Sequence, residues 1–96
     1  MEIKQLEYFR QIASTGSINE AARRLNMSQP PLSYQMKQLE EELQVTLFER
    51  TRTGVILTEA GKLLYERSEN LLDYIHSTEL EVAKAGKKQV LRIGIT

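Results

Sequence analysis

The stretch from Asn19 to Leu43, NEAARRLNMSQPPLSYQMKQLEEEL, limits what this chain can fold into more than any other. It reads as two helices joined by a tight turn. Ile18, Ala21, Ala22 and Leu25 recur at i, i+3, i+4 and i+7, one apolar stripe of a short helix. Asn26 is expected to take the left-handed conformation that ends it. Ser28 is expected to cap the next helix, with Pro30 and Pro31 in its first turn, where a missing N–H costs nothing. There Leu32, Met36, Leu39 and Leu43 share one face, and Pro30, Ser33, Tyr34 and Lys37 share the opposite one. An inward apolar seam with a short, polar outward face at the N-terminal end suits a DNA major groove.

The flanks supply the rest of a domain. Residues 3–15 form a first helix with Ile3, Leu6, Phe9, Ile12 and Ala13 inward and Gly16 as its stop. Ser17-Ile-Asn-Glu20 reads as a capping box, the Ser17 hydroxyl taking one free N–H and the Glu20 carboxylate reaching back for another. After Leu43, Leu47-Phe48 and Val55-Ile-Leu57 flank the turn Arg50-Thr-Arg52-Thr-Gly54, which predicts a two-stranded hairpin with Arg52 and Gly54 at its tip. Three helices and such a hairpin make a winged helix-turn-helix.

Thr58 is expected to cap a fourth helix, with Glu59 at its positive end and Gly86 as its stop. At about 27 residues it is about 40 Å long, too long for so small a domain to cover. Heptads put Leu64, Ser68, Leu71, Ile75, Thr78, Val82 and Ala85 at a/d positions, with Leu63, Leu72 and Leu80 beside them. Leu64, Leu71, Ile75 and Val82 are the expected dimer contacts, and a second copy is the simplest partner. Ser68 and Thr78 interrupt the seam, which argues against a long parallel coiled coil. The closing VLRIGIT alternates like a strand without a partner, and is expected to open a second domain that is absent. The fold class is therefore mostly α. Residues 1–58 make a winged helix-turn-helix, 59–86 a linker and dimerisation helix, and 87–96 a hinge and first strand of a truncated effector-binding domain.

Composition sets bounds on function. The 96 residues contain no cysteine, which removes disulfides and thiolate metal sites and fits a reducing cytoplasm. No apolar run is long enough to span a bilayer, and the N-terminus lacks a signal-peptide layout. Thirteen basic residues balance thirteen acidic ones. DNA would therefore be bound through a few placed contacts and not a broad basic field. Arg23, Arg24 and Lys37, then Arg50 and Arg52, lie in the helix-turn-helix and wing, whereas acids gather at Glu40–Glu42 and from Glu66 to Glu81. Glu40–Glu42 reads as a solvated run. The single His76 has no second ligand at suitable spacing, so no metal site is expected. There is no nucleophile with a base and no phosphate loop, which gives no catalytic residues and no cofactor in this fragment.

With these elements placed, the chain resembles the N-terminal part of a LysR-type transcriptional regulator. The likeness is carried by LEYFRQIASTGSINEAARRLNMSQPPLSYQMKQLEEEL, LFERTRTGVILTEAG, the long helix and LRIGIT. It implies a third helix in the major groove, a dimer reading an interrupted inverted repeat of double-stranded DNA, and a small-molecule inducer bound only by the missing C-terminal domain. A tetramer is implied for the full-length protein. The DNA contacts it nominates are Gln29, Pro30, Ser33, Tyr34 and Lys37 on the helix, with Arg50 and Arg52 around the wing. Two positions depart from the family pattern: Tyr34 replaces a usual arginine, and Thr53 replaces a second basic residue of the wing tip. Gln29 is suited to pair bidentately with adenine. Arg50 either contacts DNA or braces the wing through a carboxylate, such as Glu49 or a residue of the fourth helix. The other reading of the whole domain is a winged-helix adaptor that binds proteins and not DNA, for which net neutrality is the one supporting feature.

Overall fold

Five large apolar side chains are shut off from solvent at the centre of the domain: Phe9, Ile12, Leu32, Leu39 and Leu47. Burying each contributes about 1.5–3 kcal/mol, which makes this cluster the main source of stability. A computed structural model, describing residues 1–93, arranges four helices and a hairpin around it: α1 (Ile3–Thr15), α2 (Ile18–Arg24), α3 (Gln29–Leu43), β1 (Phe48–Arg50), β2 (Val55–Leu57) and α4 (Glu59–Ile93). This is the expected winged helix-turn-helix with a long helix behind it.

The turns follow from the residues that make them. Gly16 ends α1 with φ 70°, and Asn26 follows α2 with φ 57°. Ser17 Oγ accepts from the Glu20 amide at 3.1 Å. The other half of the expected capping box does not form. The Glu20 carboxylate turns outward to Arg23 and Arg24, and the Ser17 amide donates to Thr15 Oγ1 at 3.3 Å. A charged partner one turn along the helix outcompetes a neutral N–H.

Periodicity overreached at two element ends. Ile3 is 49% exposed and Leu43 is 37% exposed. Both continue an apolar face, but Ile3 is the first residue of α1 and Leu43 the last of α3.

β1 and β2 pair antiparallel, Phe48 opposite Leu57 and Arg50 opposite Val55. The Phe48 ring lies 5.2 Å from that of Phe9, so the wing is anchored in the core and not merely appended to it. The Val55 amide donates to the Gly16 carbonyl at 3.0 Å, so the wing rests on the C-terminus of α1.

Thr58 Oγ1 accepts the Gly61 amide at 3.0 Å, capping α4 as expected. The helix does not stop at Gly86. It continues to Ile93, which corrects both the expected stop and the expected strand over its described part; residues 94–96 lie outside the described residues. A mid-helix glycine is disfavoured by only about 1 kcal/mol, while a lone strand leaves all its backbone groups unpaired. Lys87 to Gln89 are good helix formers and carry the helix on.

α4 is thereby about 52 Å long, and the molecule measures 62 × 27 × 20 Å. Leu64 is half-buried and packs on the core of its own chain with part of its surface. Leu71 is 43% and Val82 63% exposed, and Ile75 is half-buried. Leu63, Tyr74 and Leu80 are also exposed.

Two glycines of α4 make opposite predictions. A Cβ on Gly61 would collide with the Leu47 backbone carbonyl, whereas one on Gly86 meets nothing within 4 Å. Helix propensity favours alanine at both by about 1 kcal/mol. At Gly61 the backbone collision outweighs it, and Gly61→Ala is expected to destabilise by about 1–3 kcal/mol in urea unfolding. Gly86→Ala is expected to raise the helical circular dichroism without lowering stability. A Gly61→Ala chain as stable as the parent would contradict this packing of α4.

Candidate nucleic-acid interface

α3 is seated by Leu32, Met36 and Leu39, which are buried. That leaves the other side of its first three turns facing outward. Pro30, Pro31, Tyr34 and Lys37 are exposed, Tyr34 to 60%, and Gln29 and Ser33 are half-buried. Gln29 Nε2 donates to Ser33 Oγ at 2.6 Å. The two candidate base readers therefore hold one another in place. One N–H and the carbonyl oxygen of Gln29 remain in its inventory, which is the pair that an adenine edge requires.

Ser28 stands at the N-cap of α3, but its hydroxyl makes no cap bond. A cap side chain accepts from the second or third helical N–H, and here those positions are Pro30 and Pro31, which have none. The same prolines leave Ser28 and Gln29 as the main-chain donors at this helix end. The expected cap is corrected: Ser28 is the boundary residue, and its hydroxyl is left to other partners.

A cleft between α3 and the wing is lined by Ser33, Met36, Lys37, Glu40, Phe48 and Arg50. It brings together three of the candidate contacts, Ser33, Lys37 and Arg50. Gln29, Pro30 and Tyr34 stand outside it on α3, and Arg52 is exposed at the hairpin tip. Among the described ion pairs none involves Lys37, Arg50 or Arg52. Bracing of Arg50 by Glu49 is not seen, as expected for adjacent strand residues that point to opposite faces.

The wing is braced by a residue that was expected to be solvated. Glu40 is half-buried, and its Oε2 accepts the amides of Leu47 at 2.7 Å and Phe48 at 3.4 Å. It thus ties α3 to the start of β1. Nothing in the EEE run distinguishes Glu40 from its neighbours, because the partners lie across a turn. A second brace runs beneath α3, where buried Gln5 of α1 donates to Gln35 Oε1 at 3.3 Å. Arg23 and Arg24 both reach Glu20, and as exposed pairs these add little stability. His76 lies 3.8 Å from Glu79. Among the described residues no group of three or more His, Cys, Asp or Glu could hold a metal, and no helix is long and apolar enough to cross a membrane.

Comparison with known proteins gives a consistent picture. A family model described as a bacterial regulatory helix-turn-helix protein, lysR family, matches residues 3–62. The chain is 50% identical over 80 residues to the HTH-type transcriptional regulator ClcR of Pseudomonas putida, covering 83% of this chain and 26% of that one. It is 43% identical over 99 residues to BudR of Klebsiella aerogenes, another HTH-type transcriptional regulator, covering 100% of this chain and 68% of that one. The chain spans about a quarter of the length of ClcR. Among solved structures, that of a CbnR_DBD–DNA complex superposes with a TM-score of 0.86 at 38% identity, covering 90% of this chain and 99% of that one. A BenM_DBD/catB site 1 DNA complex gives 0.85 at 34% identity, covering 90% and 97%.

The Glu40 brace is open to a direct check. Glu40→Ala leaves two amides near the core without their acceptor, and is expected to destabilise by about 1–3 kcal/mol. Hydrogen exchange at Leu47 and Phe48 is expected to speed up more than at Phe9 or Ile12. Unchanged exchange at those two amides would remove Glu40 from this role.

Proposed function

This chain belongs to the lysR family of bacterial regulatory helix-turn-helix proteins, and from that premise we propose that it binds double-stranded DNA sequence-specifically, as a homodimer, within a transcriptional regulator. The observation that carries the reading is the outward face of α3, polar from Gln29 to Lys37 and flanked by Arg50 and Arg52 of the wing. The fold it shares with CbnR_DBD, a domain crystallised on DNA, supports it. An α-helix of about 10–12 Å diameter fits a major groove about 12 Å wide.

In this reading Gln29 and Ser33 read base edges, with Tyr34 beside them against a sugar or thymine methyl. Pro30 keeps the first turn of α3 close to the groove floor by having no N–H to solvate. Lys37, Arg50, Arg52 and the Ser28 hydroxyl hold phosphates, and Arg52 follows the backbone or minor groove from the wing tip. Residues 1–58 form the reading unit and α4 doubles it, through Leu64, Leu71, Ile75 and Val82. Two α3 helices then enter successive major grooves on one face of the duplex, which calls for an interrupted inverted repeat. An inducer-binding domain, a tetrameric full-length assembly and action in the cytoplasm belong to the same reading. The relatives are named transcriptional regulators, and the protein-binding adaptor has only the chain's net neutrality in its favour.

Two variants separate the roles. Gln29→Ala is expected to lose about 1–3 kcal/mol on the best site and little on other sequences, while Arg52→Ala weakens all duplexes alike. With three placed cations per protomer, log K against log salt is expected to be no steeper than about −5 for the dimer. Both are measured by fluorescence anisotropy on a panel of duplexes. Identical profiles for the two variants would refute the division of roles, and a slope near −10 would refute the sparse contact set.

A further inference from the structure

α4 leaves the core at Ser68. Up to there it is held through Ala60, Leu64 and Tyr65. Beyond it, every side chain as far as Lys87 is exposed except Leu72 and Ile75, which are half-buried. A lever of about 28 Å therefore projects from Ser68 to Lys87, and tilting it by about 10° moves the far end by about 5 Å. In a dimer joined along that lever, the same tilt changes the separation of the two α3 helices.

At the fulcrum stands a group that base reading does not use. Arg10 of α1 sends Nη1 to the Tyr65 carbonyl at 3.1 Å and to Ser68 Oγ at 2.9 Å. Its guanidinium carbon lies 4.6 Å from the centre of the Tyr65 ring. The Ser68 hydroxyl donates in turn to the Tyr65 carbonyl at 2.9 Å. Ser68 is completely buried at a position where the heptad calls for an apolar residue. Apolar packing alone does not account for a buried serine and an arginine aimed at it. Apolar contacts tolerate sliding and rotation, whereas a charged donor bound to two oxygens and stacked on a ring fixes a direction.

We propose that Arg10 is a positioning residue: its clamp on Tyr65 and Ser68 fixes the angle between the winged domain and α4, and with it the spacing of the half-sites that the dimer accepts. This rests on the DNA reading above, and Arg10 itself contacts no DNA.

The test uses Arg10→Met, which keeps the aliphatic bulk and loses both hydrogen bonds and the charge over the ring, and Arg10→Lys, which restores a charge and a donor. Affinity is measured on duplexes with constant half-sites and a spacer varied one base pair at a time. In Arg10→Met the preference for the best spacer over its neighbours is expected to fall by about 10-fold, the scale of charge-assisted hydrogen bonds. Base preference within each half-site stays as in the parent, and Arg10→Lys recovers part of the spacer preference. An equal loss on every spacer, or no loss, overturns the proposal.

A readout without DNA runs in parallel. The chain has no cysteine, so spin labels at Asn19→Cys and Glu81→Cys, diluted into unlabelled chain, report the distance between the winged domain and the lever. Arg10→Met is expected to broaden or shift a distribution that is narrow in the parent; superimposable distributions overturn the clamp. If the parent selects no duplex, the DNA reading fails and the distances still judge the clamp. Should Arg10→Met not fold, Ser68→Ala removes one acceptor at nearly constant volume and is expected to act in the same direction, with unchanged distances again overturning the clamp.

Discussion

The burial of Leu32, Met36 and Leu39 is the constraint on which the rest of the molecule depends. Those three side chains fix the rotation of α3 about its own axis, and a helix whose apolar stripe is buried has no choice about which residues face outward. The candidate interface is the remainder of that helix. Phe9 extends the same constraint to the other elements, since its ring meets Phe48 of the wing and Tyr65 of α4. One core thus sets α3, the wing and α4 relative to each other.

Polar contacts refine what the core fixes coarsely. Glu40 holds the start of β1 to α3, Gln5 meets Gln35 under α3, and Arg10 grips α4. Each joins two different elements, and each lies at the rim of the apolar cluster, where a hydrogen-bonded group is tolerated and direction matters. The outward face carries a further organised pair, Gln29 with Ser33. Preorganisation of that kind lowers the conformational entropy lost when a partner is bound. It suits a chain with no net charge, which has little long-range attraction to draw on.

The helices, the hairpin and the outward face were legible in the sequence because their signals are local: apolar periods, Gly16 and Asn26 at φ > 0, and the turn from Arg50 to Gly54. Local signals also explain the misreadings. Periodicity cannot tell where packing ends, so it points Ile3 and Leu43 inward although both are exposed. The residue type of Gly86 signals a stop, yet α4 runs through it. The missing Ser28 cap bond was readable, since two prolines cannot donate, but the residue type at the N-cap is the more familiar signal. Glu40 and Arg10 gave no signal, because the groups that select them arrive from 7 and 58 residues away.

Selection of sites from a random duplex pool by the 96-residue chain at physiological salt tests the central claim most directly. Enrichment of an interrupted inverted repeat, bound by two chains and discriminated from its scrambled version, is the predicted result. A pool that shows no enrichment, with scrambled duplex bound equally well, would contradict the assignment of α3 as a reader of DNA sequence.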